Sequence, residues 1–158
     1  MAKDHSFKNT IPLAPLKIIA MENCRDFGKK VDDYIVSFRK NDEAILRARE
    51  TNVEFRGYDA NSYLLECSCP RFGSGEAKGL IRESVRGTDV FILTDVMNHS
   101  MTFNMYGRTH YMSPDDHYQD LKRIISTAVS NARRVNVIMP FLYESRQHKR
   151  SQRESLDC

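Results

Sequence analysis

Asp89-Val90-Phe91-Ile92-Leu93-Thr94-Asp95 is an apolar run with an aspartate at each end. A strand with one wet face alternates apolar and polar side chains, whereas an unbroken apolar run of this length fits a strand covered on both faces. Residues 89–95 therefore read as a central strand of a parallel sheet, and the rest of the chain can be built outward from it. Downstream, Ser113-Pro114-Asp115-Asp116 is a helix start: serine caps, proline takes the first position, and the carboxylates face the positive end of the helix dipole. Tyr118, Leu121, Ile124, Ile125, Ala128 and Val129 follow at helical spacing as the expected buried stripe. Residues 135–139 then read as the next strand.

Upstream, residues 15–21 form a short apolar run opened by proline and read as a first strand. Asn23 is the expected cap of the helix after it, with Asp26 at the third helical position and Phe27, Val31, Tyr34, Ile35 and Phe38 on one face. Residues 39–61 are charged and read as an insertion, with a short helix expected over 44–46 behind Asn41, Asp42 and Glu43. Residues 62–69 and 79–84 read as two further strands. The segment 97–112 is rich in Met, His, Tyr and Asn and its pattern assigns no structure. Strands alternating with helices imply an α/β fold, a mainly parallel sheet with helices on both faces, whose ligands sit beyond the carboxyl ends of the strands.

At 158 residues the chain is long enough for one ordinary domain. Lys and Arg number 24 against 21 Asp and Glu, a net charge of +3 spread along the sequence, so nucleic acid is not an expected partner. The Arg146, Lys149, Arg150 and Arg153 cluster is interleaved with Glu144, Glu154 and Asp157 and reads as a solvated tail. No apolar stretch approaches the roughly 20 residues of a membrane helix, and the polar start lacks a signal-peptide core, so a soluble cytoplasmic protein without membrane contact is expected. Cys24, Cys67, Cys69 and Cys158 have no disulfide-framework spacing and read as reduced thiols. His99, His110 and His117 lack paired ligand spacing with Cys67 and Cys69, so no protein-held metal is expected. Gly73, Gly75 and Gly79 precede a strand rather than a helix, which removes a dinucleotide-binding reading.

Two segments carry a resemblance. Arg71-Phe72-Gly73-Ser74-Gly75-Glu76, followed by Glu83-Ser84-Val85-Arg86-Gly87-Thr88-Asp89-Val90-Phe91, and Pro140-Phe141-Leu142-Tyr143-Glu144-Ser145-Arg146-Gln147-His148 are similar to the adenine loop, following strands and phosphate segment of ribose-phosphate pyrophosphokinases. The resemblance runs from about Pro15 to Arg150. It implies a phosphoribosyltransferase type I-like fold and an amino-terminal nucleotide-binding domain over 1–144, with insertions near 39–61 and 97–112. A polar tail over 145–158 would lead to a second domain holding the ribose 5-phosphate and catalytic machinery.

The implied reaction transfers diphosphate from MgATP to ribose 5-phosphate, giving AMP and phosphoribosyl pyrophosphate for nucleotide biosynthesis. The implied ATP-binding residues are Phe72, Ser74, Glu76, Arg146, Gln147 and His148. Phe72 and Glu76 would contact adenine, and Arg146 and Gln147 the phosphates. No catalytic residue or metal ligand falls in this stretch; magnesium would come with ATP. A homo-oligomer is implied, in which Phe72 and Glu76 serve a neighbouring subunit's site, and the stretch alone is expected to be inactive. Ser74 and His148 stand where the family pattern has aspartate. These departures, with the two insertions, give the alternative reading, a non-catalytic regulatory paralogue of the same family.

Overall fold

The structure is a computed structural model that describes residues 13–41, 57–58 and 60–155. At its centre are four parallel strands in the order β2-β1-β5-β8: β1 (Leu16–Ala20), β2 (Leu64–Leu65), β5 (Asp89–Leu93) and β8 (Arg134–Ile138). Two antiparallel hairpins complete the strands of the described residues, β3 (Cys67–Ser68) with β4 (Leu80–Ile81) and β6 (Thr102–Met105) with β7 (Arg108–Tyr111). Among the described residues, α1 (Arg25–Lys40) and α2 (Pro114–Val129) are the long helices.

Strand alternation divides the core between them. Ile19, Val90 and Ile92 point to one face and pack with Leu121, Ile124 and Ala128 of α2. Ile18 and Leu93 point to the other, with Tyr63 and Cys24, against Val31, Ile35 and Val36 of α1. The unbroken run of β5 follows from this arrangement, since both of its faces are covered. The fold is α/β with a mainly parallel sheet and a helix on each face, consistent with a phosphoribosyltransferase-like fold. Among the described residues no helix is long and apolar enough to cross a membrane.

The start of α2 is as its sequence indicates. The Ser113 hydroxyl accepts from the Asp116 amide at 3.2 Å, the Asp116 carboxylate accepts from the Ser113 amide at 2.9 Å, and Pro114 takes the first turn. Its buried stripe also holds His117 and Asp120, while Val129 lies exposed.

The start of α1 differs from expectation. Asn23 sits inside a 3₁₀ turn (Glu22–Cys24), and no side chain caps α1. Its amide is drawn into the interior instead: it donates to Thr94 Oγ1 and to His117 Nδ1, both at 3.1 Å, and accepts from the Asp95 amide at 3.2 Å. His117 Nε2 lies 2.8 Å from the Asn98 carbonyl, which can only accept, so Nε2 carries the proton and Nδ1 receives the Asn23 amide. The buried Asn23, Thr94 and His117 thereby satisfy one another between the ends of β1 and β5 and α2, and that gain outweighs a surface cap.

The face of α1 is rotated as well. Phe27, Tyr34 and Phe38 are exposed, whereas Gly28 and Asp32 are buried beside Val31 and Ile35. A methyl group on Gly28 would lie 2.2 Å from Ala20 Cβ, so α1 meets β1 along its glycine. One turn on, the Asp32 carboxylate accepts from the Tyr63 amide and the Ser62 hydroxyl, each at 2.7 Å. The segment read as a single strand over 62–69 is also divided: β2 joins the central sheet and β3 leaves it to pair with β4. The helix expected over 44–46 lies outside the described residues.

Candidate functional site

The β3–β4 hairpin is the frame of the first site element. Beyond the paired strands, Arg71 bridges Ala77, and the chain reverses over residues 72–76. The Gly75 amide donates to the Phe72 carbonyl at 2.9 Å and the Phe72 amide to the Glu76 carbonyl at 2.7 Å, a three-residue hairpin loop closed by a residue at positive φ. Gly75 is that residue, with φ of 91°, and a Cβ there would fall 2.7 Å from Met105 Sδ. The loop therefore needs glycine for both conformation and contact.

Three of the expected ligand residues come together on this tip. The Phe72 ring is 54% exposed, and the Ser74 hydroxyl donates to Glu76 Oε2 at 3.0 Å. What holds the turn is Arg71, whose guanidinium donates to the Gly75 carbonyl at 3.1 Å and to Asp120 Oδ2 at 2.9 Å, and lies 4.4 Å from the Phe103 ring centroid. Asp120 also receives Arg123 at 2.6 Å. Burial pushes the Asp120 carboxyl up from the usual range, and the two guanidiniums act against that shift.

The segment 97–112 proves to be the second support. Its β6–β7 hairpin lays Phe103 and Met105 against Gly75, and the Tyr106 amide donates to the Gly73 carbonyl at 3.0 Å. Neither Arg71, Asp120 nor this hairpin was assigned a part by the sequence reading. The signal for the hairpin is present: two four-residue runs containing Thr, Phe and Tyr flank the pair Tyr106-Gly107. Beneath the turn lies a cavity of about 170 Å³ lined by Cys69, Arg71, Phe103, Met112, His117 and Asp120. Burial pushes the Cys67 thiol up to about 11 and the Cys69 thiol up to about 12, the latter reinforced by Asp120. Both remain protonated at neutral pH and behave as packing groups, not nucleophiles.

The other three expected residues, Arg146, Gln147 and His148, lie apart from the turn in sequence and are exposed. Their segment follows β8 and is fastened through Tyr143, which stacks on Tyr118 at 4.1 Å between centroids and donates to Asp115 Oδ1 at 2.6 Å. Gln147 Nε2 donates to Glu154 Oε2 at 3.2 Å. No hydrogen bond, ion pair or ring contact joins Phe72 to Arg146. Both elements are attached to the first two turns of α2, one through Asp120 and the other through Asp115.

A wide depression of about 860 Å³ opens at the carboxyl ends of β1, β5 and β8, lined by Glu22, Arg25, Asp95, Asn98, Pro140 and Phe141. In the strand order β2-β1-β5-β8 the chain leaves β1 toward β2 on one side and later returns on the other as β5, so the crevice between β1 and β5 is the point where α/β sheets take ligands. The chain is thus a parallel α/β domain with an open crevice at the carboxyl ends of its strands, the place where folds of this class take ligands. The particular family follows from sequence: residues 16–158 match the family described as the N-terminal domain of ribose phosphate pyrophosphokinase, and the chain belongs to that family. A search of curated proteins found no match.

Proposed function

We propose that this domain supplies the ATP-holding half of a ribose-phosphate pyrophosphokinase, in which diphosphate passes from MgATP to the 1-hydroxyl of ribose 5-phosphate and AMP and phosphoribosyl pyrophosphate leave. The observation that carries this reading is the turn at 72–76, which is braced by a buried ion pair yet presents Phe72 and Glu76 outward. Phe72 offers a flat face to the purine, and Glu76 accepts from an exocyclic amine. Ser74 already donates to Glu76 and so orients that carboxylate.

On the second element Arg146 provides a planar fork for phosphate oxygens, with the Gln147 amide and the His148 ring beside it. As the family resemblance implies, the reading takes a homo-oligomer in which the turn of one copy serves the phosphate segment of another. Among the described residues no group of three or more His, Cys, Asp or Glu side chains is arranged to hold an ion. On this reading magnesium enters as part of the MgATP substrate, where it neutralises phosphate charge.

The test is release of AMP by the full-length protein given MgATP and ribose 5-phosphate. Turnover is expected, with Arg146→Ala lowering it by about 100-fold or more, the usual scale for a charge that stabilises phosphoryl transfer. Association with an active homologue and no AMP release would favour the regulatory-paralogue reading, which rests on Ser74 and His148.

A further inference from the structure

We infer that Tyr106, on the tip of the β6–β7 hairpin, is a second aromatic contact for the nucleobase and a determinant of purine selectivity. This rests on the reading of Phe72 and Glu76 as the purine turn. The hairpin reverses at Tyr106-Gly107, with φ of 49° and 75°. Two successive left-handed residues make the turn that suits a twisted two-stranded ribbon, and its first central position favours asparagine, aspartate or glycine because side chains crowd the backbone there. Tyrosine is a poor choice on local grounds. Burial does not compensate, since Tyr106 is 78% exposed, and among the described residues its ring and hydroxyl have no hydrogen-bond or ring partner. A strained and solvated aromatic side chain is explained by something that arrives from outside.

What arrives is indicated by where the hairpin is fixed. The Tyr106 amide is bonded to Gly73, the residue after Phe72, and Phe103 and Met105 pack on Gly75. Two outward aromatic residues are thus carried on adjoining turns whose separation is set by backbone and packing contacts. A purine has two π faces and a polar edge; the two rings and Glu76 answer those features, while a phosphate or a sugar would use none of the aromatic surface.

The experiment measures equilibrium binding of MgATP, and of inorganic tripolyphosphate as a base-free probe, to the full-length protein carrying Tyr106→Asn, Tyr106→Phe or Phe72→Ala. Asparagine suits the turn, so Tyr106→Asn should melt no lower than wild type while weakening ATP by about tenfold, the scale of one lost base–aromatic stack. Tripolyphosphate binding should not change, and Tyr106→Phe should bind ATP like wild type. If Phe72→Ala weakens ATP and Tyr106→Asn does not, the role of Tyr106 is overturned while the purine turn stands. If neither substitution matters, the purine turn itself fails and this inference with it. A change in oligomeric state of Tyr106→Asn at unchanged ATP affinity also overturns it, and assigns the ring to a contact between copies.

Discussion

The turn at 71–77 and the segment at 141–155 belong to the same proposed site but are built in opposite ways. The turn is tied down from three directions: by its own backbone hydrogen bonds, by Arg71 running to Asp120, and by the β6–β7 hairpin lying against Gly75. The later segment contains no helix or strand, and apart from Tyr143 its hydrogen bonds run mainly within itself, from Gln147 and Ser151 to Glu154. A flat base is recognised by shape, which requires surfaces set in place beforehand. Phosphates are recognised by charge on flexible side chains, which can close once the ligand is present.

Removing the buttress should produce the largest change. Asp120 is buried and bonded to both Arg71 and Arg123, so Asp120→Ala leaves two largely covered guanidiniums without their counter-charge. Loss of about 3 kcal/mol in urea unfolding is expected, because breaking one side of a buried pair strands the other. A loss below about 1 kcal/mol would mean that the turn is held by its backbone alone. Gly75→Ala is the next largest. It forces a Cβ onto a residue at φ 91° and against Met105, at a cost of about 1–3 kcal/mol. Amide exchange in that variant should accelerate at residues 72–76 and at Tyr106 together, since the two turns share a hydrogen bond. Exchange that rose in the turn alone would show the hairpin to be independent of it.

The same contrast explains what the sequence disclosed. The β5 strand, the Ser113 cap and the reversal at 71–76 are set by residues within a few positions of one another, and all three appear in the structure, with β5 ending at Leu93, two residues short of the expected Asp95. Asn23 was misread because its local pattern is a good cap, but partners 71 and 94 residues away compete for its amide. The face of α1 differs because phenylalanine and tyrosine offer far more apolar surface to bury than glycine, while close contact with Ala20 favours glycine. Asp120 falls outside the apolar stripe that the spacing of α2 predicts. Its burial depends on Arg71 reaching it from 49 residues upstream, a pairing that no spacing rule contains. For the expected ligand residues, the sequence names both elements, but not how they are attached to α2.

Tyr143→Phe should have the smallest effect on the whole molecule and the most informative local one. The hydroxyl donates to Asp115, and that carboxylate holds the phenol pKa up, so the group stays protonated throughout the neutral range. Phenylalanine keeps the stacking on Tyr118 and removes only this hydrogen bond. Because the bond is exposed to solvent, water replaces most of it, and the melting temperature should be unchanged within error. Local opening is a different quantity from global stability. Hydrogen exchange over residues 143–147 should quicken in Tyr143→Phe and become faster still in Tyr143→Ala, which also loses the ring, with residues 72–76 unaffected in both. Were the turn to loosen as well, α2 would be transmitting strain between the two elements, and the fixed and adaptable halves of the site would have to be treated as one mechanical unit.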